Sequence, residues 1–288
     1  REMTAMVSDR RDLEALAAIG RRRGAPVALH VKVDTGMGRL GIALGDLGAV
    51  LADLVQRGGA LVTGVATHFA NADSDDPADP GCLTYAQLAA FDEAVAVARA
   101  AGVRPALLHT ANSSGALLFP SARKDLVRCG LALYGNGADR WRVHNPAADQ
   151  LQQAMRLVSQ IVQLRTIPAG GSVGYGALWR ASVATRVAVL PLGYADGLPR
   201  RLTGCGEVLI RGQRCPLLGA ISMDIAIVDV GAVDGVALGD EAVLLGAQGG
   251  AQIRTAEFAT RAGLTEYEVT CGMSKRVPRI SVETGGAP

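Results

Sequence analysis

The chain has 288 residues, a formal net charge of +2, a hydrophobic fraction of 49% and only 19% charged residues. That is enough for one large domain or two ordinary ones, each with a sizeable core. The near-neutral balance gives no reason to expect nucleic acid or an acidic membrane surface as partner, and no apolar run approaches the ~20 residues of a membrane span.

Two textures follow one another along the chain. In the first, up to about residue 148, strand-like and helix-like segments alternate. Leucines and alanines at helical spacing predict a helix over 11–23, and the alternation in PVALHVKV predicts a strand over 26–33. A helix is expected over 45–57, a strand over 61–68 and a helix over 85–101, then apolar strands near 106–110 and 127–131. Repeated strand–helix units mean a parallel α/β sheet or barrel. From about residue 149 onward, β-branched runs with Gly and Pro punctuation replace this pattern: 157–167, 184–193, 207–218, 225–230 and 241–246. GEVLIRGQRCPLLG reads as a hairpin turning at Gly212, and short helices close the pattern over 255–262 and 266–273. The second part is a mostly antiparallel β domain, so the chain divides into residues 1–148 and 149–288.

Four expected strands are half of an eight-stranded α/β barrel, which takes ~250 residues. The chain begins at Arg1 rather than Met, so the expectation is a partial barrel whose other strands lie in roughly 100 further residues. A small open sheet is the alternative. The five cysteines are odd in number with no two at metal-ligand spacing, and read as free thiols of a reducing compartment.

Polar and Gly-rich clusters follow each expected strand of the first half: Lys32 with DTGMGRLG, then THFANAD, HTANSSGAL and VRCGLALYG. Barrel active sites lie at the C-terminal strand ends, so four such clusters point to one shared site. Asn112, Ser113 and Ser114 before Gly115 offer hydroxyls and backbone N–H groups to a phosphate at a helix start; an ordinary N-cap is an equal reading. Gly130 and Leu131 offer further N–H groups where a ligand could approach. Arg128, amid apolar residues, needs a partner, and a structural ion pair is the plainer reading. His68 is one of four histidines, and a lone strand-end histidine is more often structural than catalytic. Arg39 reads equally as a solvated loop residue. In the second half, Tyr175 and Tyr194 sit in Gly-flanked loops, Arg200 lies nearby, Ser222-Met223-Asp224 interrupts two β runs, and Tyr267-Glu268 precedes Arg276-Val277-Pro278-Arg279.

Taken together, DTGMGRLG, THFANAD, HTANSSGAL, VRCGLALYG, VGYGAL, PLGYADGLPR, GAISMDIAIVD and EYEVTCGMSKRVPRI resemble the alanine racemase family, in family order from Lys32 to Ile280. The resemblance implies an N-terminal α/β barrel and a C-terminal β domain, pyridoxal 5'-phosphate as cofactor, and a cytoplasmic homodimer whose active sites are shared between one barrel and the partner's β domain. It implies interconversion of L- and D-alanine, with D-alanine destined for peptidoglycan.

By this resemblance Arg128 faces the cofactor's ring nitrogen, with His68 beside the ring. Asn112, Ser113, Gly130, Leu131 and Tyr267 belong to the cofactor site, and all but Asn112 match the family's phosphate binders. Tyr175 is the catalytic tyrosine given to the partner subunit. A free tyrosine hydroxyl ionises near pH ~10, so this base must be activated, and the His68–Arg128 pair is the implied means. Arg39 and the Met223 backbone N–H bind the substrate carboxylate, Lys32 is a lysine carbamylated in some members, and Tyr194, Arg200 and Asp224 line the entrance. One feature departs from the family. The lysine that holds the cofactor as a Schiff base has no counterpart among Lys32, Lys124 and Lys275, the only lysines present. The expectation is that this chain alone is inactive. Two other readings compete: a broader amino-acid racemase on the same fold, and a non-catalytic remnant.

Overall fold

The computed structural model describes residues 3–282, which divide into two compact units, one running to residue 133 with 138–151, the other 134–137 with the residues from 152 onward.

The first unit is built on parallel strands β1 (Ala5–Val7), β2 (Val27–Asp34), β3 (Ile42–Ala43), β4 (Ala60–Ala66) and β5 (Leu107–His109). They pair in the order β1-β2-β4-β5, with β3 on β2, all in parallel. Strands that pair successively in chain order, with helices between, form the arc of a (β/α)8-type barrel; a doubly wound sheet would reverse its order. The helices are α1 (Arg10–Arg23), α2 (Leu44–Arg57), α3 (Leu83–Ala100), α4 (Ser113–Leu118) and α5 (Ala138–Trp141). Asp9 caps α1 through the Arg11 N–H, Gly24 at φ 70° ends it, and three arginines occupy its last turn, where positive charge meets the negative helix end. On α2 the buried residues Leu47, Val50, Leu51 and Leu54 form one stripe. That stripe packs with Leu29, Val31 and Val33 of β2 and Phe91 and Val95 of α3.

Parity then decides the chemistry of β2. With Leu29, Val31 and Val33 turned to the helices, His30, Lys32 and Asp34 lie on the opposite face. A bulge leaves Thr63 unpaired and sets Gly64 against His30. A Cβ on Gly64 would lie 2.6 Å from the His30 ring, so glycine there makes room for the imidazole.

The second unit is antiparallel: β6 (Leu157–Gln160), β7 (Gln163–Ile167), β8 (Ser172–Val173), β9 (Trp179–Arg180), β10 (Thr185–Leu190), β11 (Glu207–Ile210), β12 (Gln213–Pro216), β13 (Ala226–Asp229), β14 (Glu241–Gln248) and β15 (Ala251–Ile253). One sheet runs β12-β11-β14-β15 with β6 on β14, another β13-β10-β7, and β8 pairs β9. The apolar faces of the two larger sheets and the helix α6 (Thr255–Ala262) share one core with Val269 of α7 (Glu266–Gly272), while Val173 of β8 packs in a smaller cluster with Val187 and Leu218.

Two expectations need correction. Residues 127–131 form no strand. The chain does run beside β5, held by Asp125 N–H to Leu108 O at 3.0 Å and Arg128 N–H to Ala111 O at 2.9 Å. But the Leu108 N–H donates to the Asp125 carboxylate at 2.8 Å rather than to a backbone carbonyl, so no ladder propagates. Conversely, β1 was not anticipated; three residues are too few for a periodic signal.

Candidate active site

The strand ends of the first unit gather its polar groups around Arg128. Its Nη1 donates to His109 Nδ1 at 2.8 Å and to His109 O at 3.1 Å. Its Nη2 donates to Thr67 O at 2.6 Å, Thr110 O at 3.0 Å and His68 Nδ1 at 3.3 Å. The ion-pair reading is therefore replaced: these partners are carbonyls and imidazoles, and among the described residues no carboxylate pairs with Arg128. Its Nε–H has no acceptor among the described residues. Burial draws the Arg128 guanidinium below its ordinary pKa, yet an arginine remains charged.

The imidazoles around it are neutral. Burial first, then the positive charges of Arg128, Arg39 and Lys32, push His68 down to about 4. Burial, Arg128 and His30 push His109 to about 4 as well. Because Arg128 donates to Nδ1 of each, the remaining proton of each ring sits on Nε2. His109 Nε2 lies 2.9 Å from His30 Nδ1, so a directed chain runs Arg128 to His109 to His30. Sequence reading missed both histidines of this relay. His109 stood in HTANSSGAL, and His30 was visible as a polar residue at an inward position of β2.

Lys32 and Arg39 belong to the same electrostatic neighbourhood. Burial lowers the Lys32 pKa, and Arg39 and Arg128 lower it further. Arg39 sits on a loop organised by Asp34, whose carboxylate accepts from Gly36 N–H at 3.0 Å and Gly38 N–H at 3.1 Å. The His68 loop is fixed by Gln87, which the sequence reading also passed over. This fully buried amide donates to His68 O at 3.1 Å and Thr35 Oγ1 at 3.2 Å, and accepts from Ala70 N–H at 2.8 Å.

Asn112 is the N-cap of α4, accepting from Gly115 N–H at 2.9 Å. Ser113 instead turns its Oγ to the 130–132 segment, accepting from Gly130 N–H at 3.1 Å and Ala132 N–H at 3.2 Å. A Cβ on Gly130 would meet nothing within 4 Å. The capping role thus falls to Asn112 rather than Ser113, whose hydroxyl joins the start of α4 to the 130–132 segment. Leu131 begins the short helical turn Leu131–Tyr134.

In the second unit, Tyr175 projects from a turn with Gly174 at φ 73°, Gly176 at φ 72° and Ala177 at φ 47°, and is 75% exposed. Tyr194 and the 222–225 loop meet backbone to backbone: Tyr194 N–H donates to Ser222 O at 3.1 Å and Ala195 N–H to Met223 O at 3.0 Å. A Cβ on Gly193 would stand 2.3 Å from Ser222 O, so glycine permits that approach. Arg200 opens a short helical turn, Arg200–Leu202, and Tyr267 lies in the first turn of α7, capped by Thr265 and Glu268. All five cysteines are free, and no helix among the described residues is long and apolar enough to cross a membrane.

An α/β barrel arc with polar groups gathered at its strand ends, followed by an antiparallel β unit, defines a barrel-plus-β-domain enzyme. The family models for the N-terminal and C-terminal domains of alanine racemase match residues 1–137 and 154–281. The chain belongs to the alanine racemase family. An alanine racemase of Sorangium cellulosum is 42% identical over 286 residues, covering 97% of this chain and 73% of that protein. The crystal structure of alanine racemase from D-cycloserine-producing Streptomyces lavendulae matches with a TM-score of 0.89 at 35% identity, over 98% of this chain and 73% of that one. Alanine racemase from Bartonella henselae, solved with covalently bound pyridoxal phosphate, matches at 0.82 and 28% identity, over 98% and 74%.

Proposed function

We propose that this chain carries out the interconversion of L- and D-alanine with pyridoxal phosphate, as part of an alanine racemase. The observation that carries the reading is the state of Arg128. Its terminal nitrogens are committed to backbone carbonyls and two neutral imidazoles, leaving the Nε–H to face a ring nitrogen. On this reading the Ser113 hydroxyl, the Gly130 and Leu131 backbone and Tyr267 would hold the cofactor's phosphate. Pyridoxal phosphate, when bound, supplies the electron sink that acidifies the substrate Cα–H.

The chain's own residues do the rest. Arg128 keeps its proton and so limits that sink. Arg39 and the Met223 N–H hold the substrate carboxylate. Tyr175 moves a proton at one face of Cα, in the active site of a partner subunit, and His68 links it to Arg128. Tyr194, Arg200 and Asp224 screen the entrance. The sites are shared in a cytoplasmic homodimer.

The lysine that anchors the cofactor and serves the other face is, on this reading, none of the three present. Lys124 pairs with Asp92 at 2.9 Å, Lys275 lies in the second unit, and Lys32 is the carbamylation candidate beside Arg39. The chain alone is then inactive. The test is to add pyridoxal phosphate, reduce with borohydride and map the label. Label at none of these lysines, with activity once the anchoring lysine is supplied, is the expected result. Label on Lys32, Lys124 or Lys275 together with racemisation by this chain alone sinks the reading.

A further inference from the structure

The segment closing α7 holds an arginine that the proposed mechanism leaves unused. Arg276 Nε donates to Asp196 Oδ1 at 2.9 Å, and its Nη2 reaches Asp224 Oδ1 at 2.6 Å and Asp196 Oδ1 at 2.8 Å. The two aspartates sit on different loops. Asp196 belongs to the Tyr194 loop, where its other oxygen accepts from the Gly193 N–H at 2.9 Å. Asp224 follows Met223 directly, and these loops already share the two backbone hydrogen bonds described above. Ser274 N–H donates to Asp196 O at 3.0 Å, which ties the 273–277 segment to the same loop. Arg279 keeps that segment folded by donating to Ser274 O at 2.5 Å, Val277 O at 2.8 Å and Met273 O at 2.7 Å.

The Met223 N–H, at the centre of this arrangement, donates to no protein acceptor among the described residues. A free N–H is useful to a carboxylate only if its direction is fixed; Ser222 N–H donates to Ile225 O at 3.0 Å and closes the base of the two-residue tip, which leaves the tip to be held against the neighbouring turn. Among the described residues, the hydrogen bond that grips the tip by a side chain is Asp224 to Arg276. An arginine fork can bridge two carboxylates where a lysine ammonium meets one at a time.

We propose that Arg276 is a positioning residue for the substrate carboxylate: it locks the Met223-Asp224 tip against the Tyr194–Asp196 turn, so that the Met223 N–H points at the anion. The inference rests on the reading of Met223 as a carboxylate binder. An anchor used equally in ground and transition states governs KM and leaves kcat unmoved.

The test uses the holoenzyme, with propionate as a carboxylate probe and alanine as substrate. Arg276→Ala should raise KM and the propionate inhibition constant together by about tenfold, the scale of one charge-assisted hydrogen bond, with kcat within about twofold and thermal stability measured alongside. Arg276→Lys should recover part of the loss. Met223→Pro, which deletes the N–H, and Met223→Ala, which keeps it, test the underlying reading separately. If Met223→Pro weakens propionate but Arg276→Ala changes only melting temperature, the carboxylate reading stands and the Arg276 proposal is overturned. If propionate fails to compete in the unaltered enzyme, both fall.

Discussion

His109 Nδ1 accepts a hydrogen bond from Arg128 Nη1 at 2.8 Å, and this contact fixes the tautomer of a nearly inaccessible ring. His109 in turn addresses His30 at 2.9 Å, so removing it leaves one group unsatisfied on each side. His109→Leu should cost about 1–3 kcal/mol, the penalty for orphaning buried polar partners. His109→Gln, whose carbonyl still accepts from Arg128, should recover a good part. Urea unfolding measures both. A leucine variant as stable as the parent would mean that the relay contributes nothing to the fold.

The relay also shows where sequence legibility ended. Helix 255–262 and the hairpin at Gly212 were readable because their determinants are local: an apolar stripe in one case, a turn with Arg211 at φ 50° and Gly212 at φ 76° in the other. Arg128 and Ser113 stood out as residue types in Gly-rich strand-end clusters. Their partners did not, because His30 and His109 are 79 residues apart and meet only through parallel pairing across β4. Asp125 defeated the strand expected at 127–131 for a similar reason. Its carboxylate takes the Leu108 N–H, a competition between side chain and backbone that periodicity does not register.

The two imidazoles pressed to about 4 make stability depend on pH. In the unfolded chain each titrates near its ordinary value of 6.5. As pH falls from 6.5 toward 4 the unfolded state takes up protons that the folded state refuses, so stability drops across that window. Above it the contribution is complete, and below it no further loss comes from these groups. Unfolding midpoints at about pH 7.5 and about pH 5 should therefore differ, and His109→Gln should shrink the difference. An unchanged difference would place the acid sensitivity in other groups.

Lys32 is drawn toward its neutral form by burial and by Arg39 and Arg128. A neutral amine is the form that adds carbon dioxide, and the resulting carbamate is an anion lying among cations, which stabilises it. Native mass spectrometry in bicarbonate buffer should show one carbon dioxide adduct, lost in acid and missing from Lys32→Arg. Labelled bicarbonate giving no carbamyl carbon signal in the parent protein would refute the modification and leave Lys32 as a simple cation near Arg39.

Tyr175 stands out from a turn with three positive-φ residues and an open ring, a geometry that serves a group acting outside its own unit. If it is the base at one face of Cα, Tyr175→Phe in the holoenzyme should lower kcat/KM for racemisation by about 10²–10⁴ fold, the range for a lost general base. The remaining base works on the opposite face. One enantiomer of alanine should therefore still exchange its α-proton with deuterium oxide, without inversion, while the other does not. That asymmetry separates a lost base from a disturbed fold, which would suppress exchange of both enantiomers alike. Exchange of both at parental rates would remove Tyr175 from the chemistry altogether.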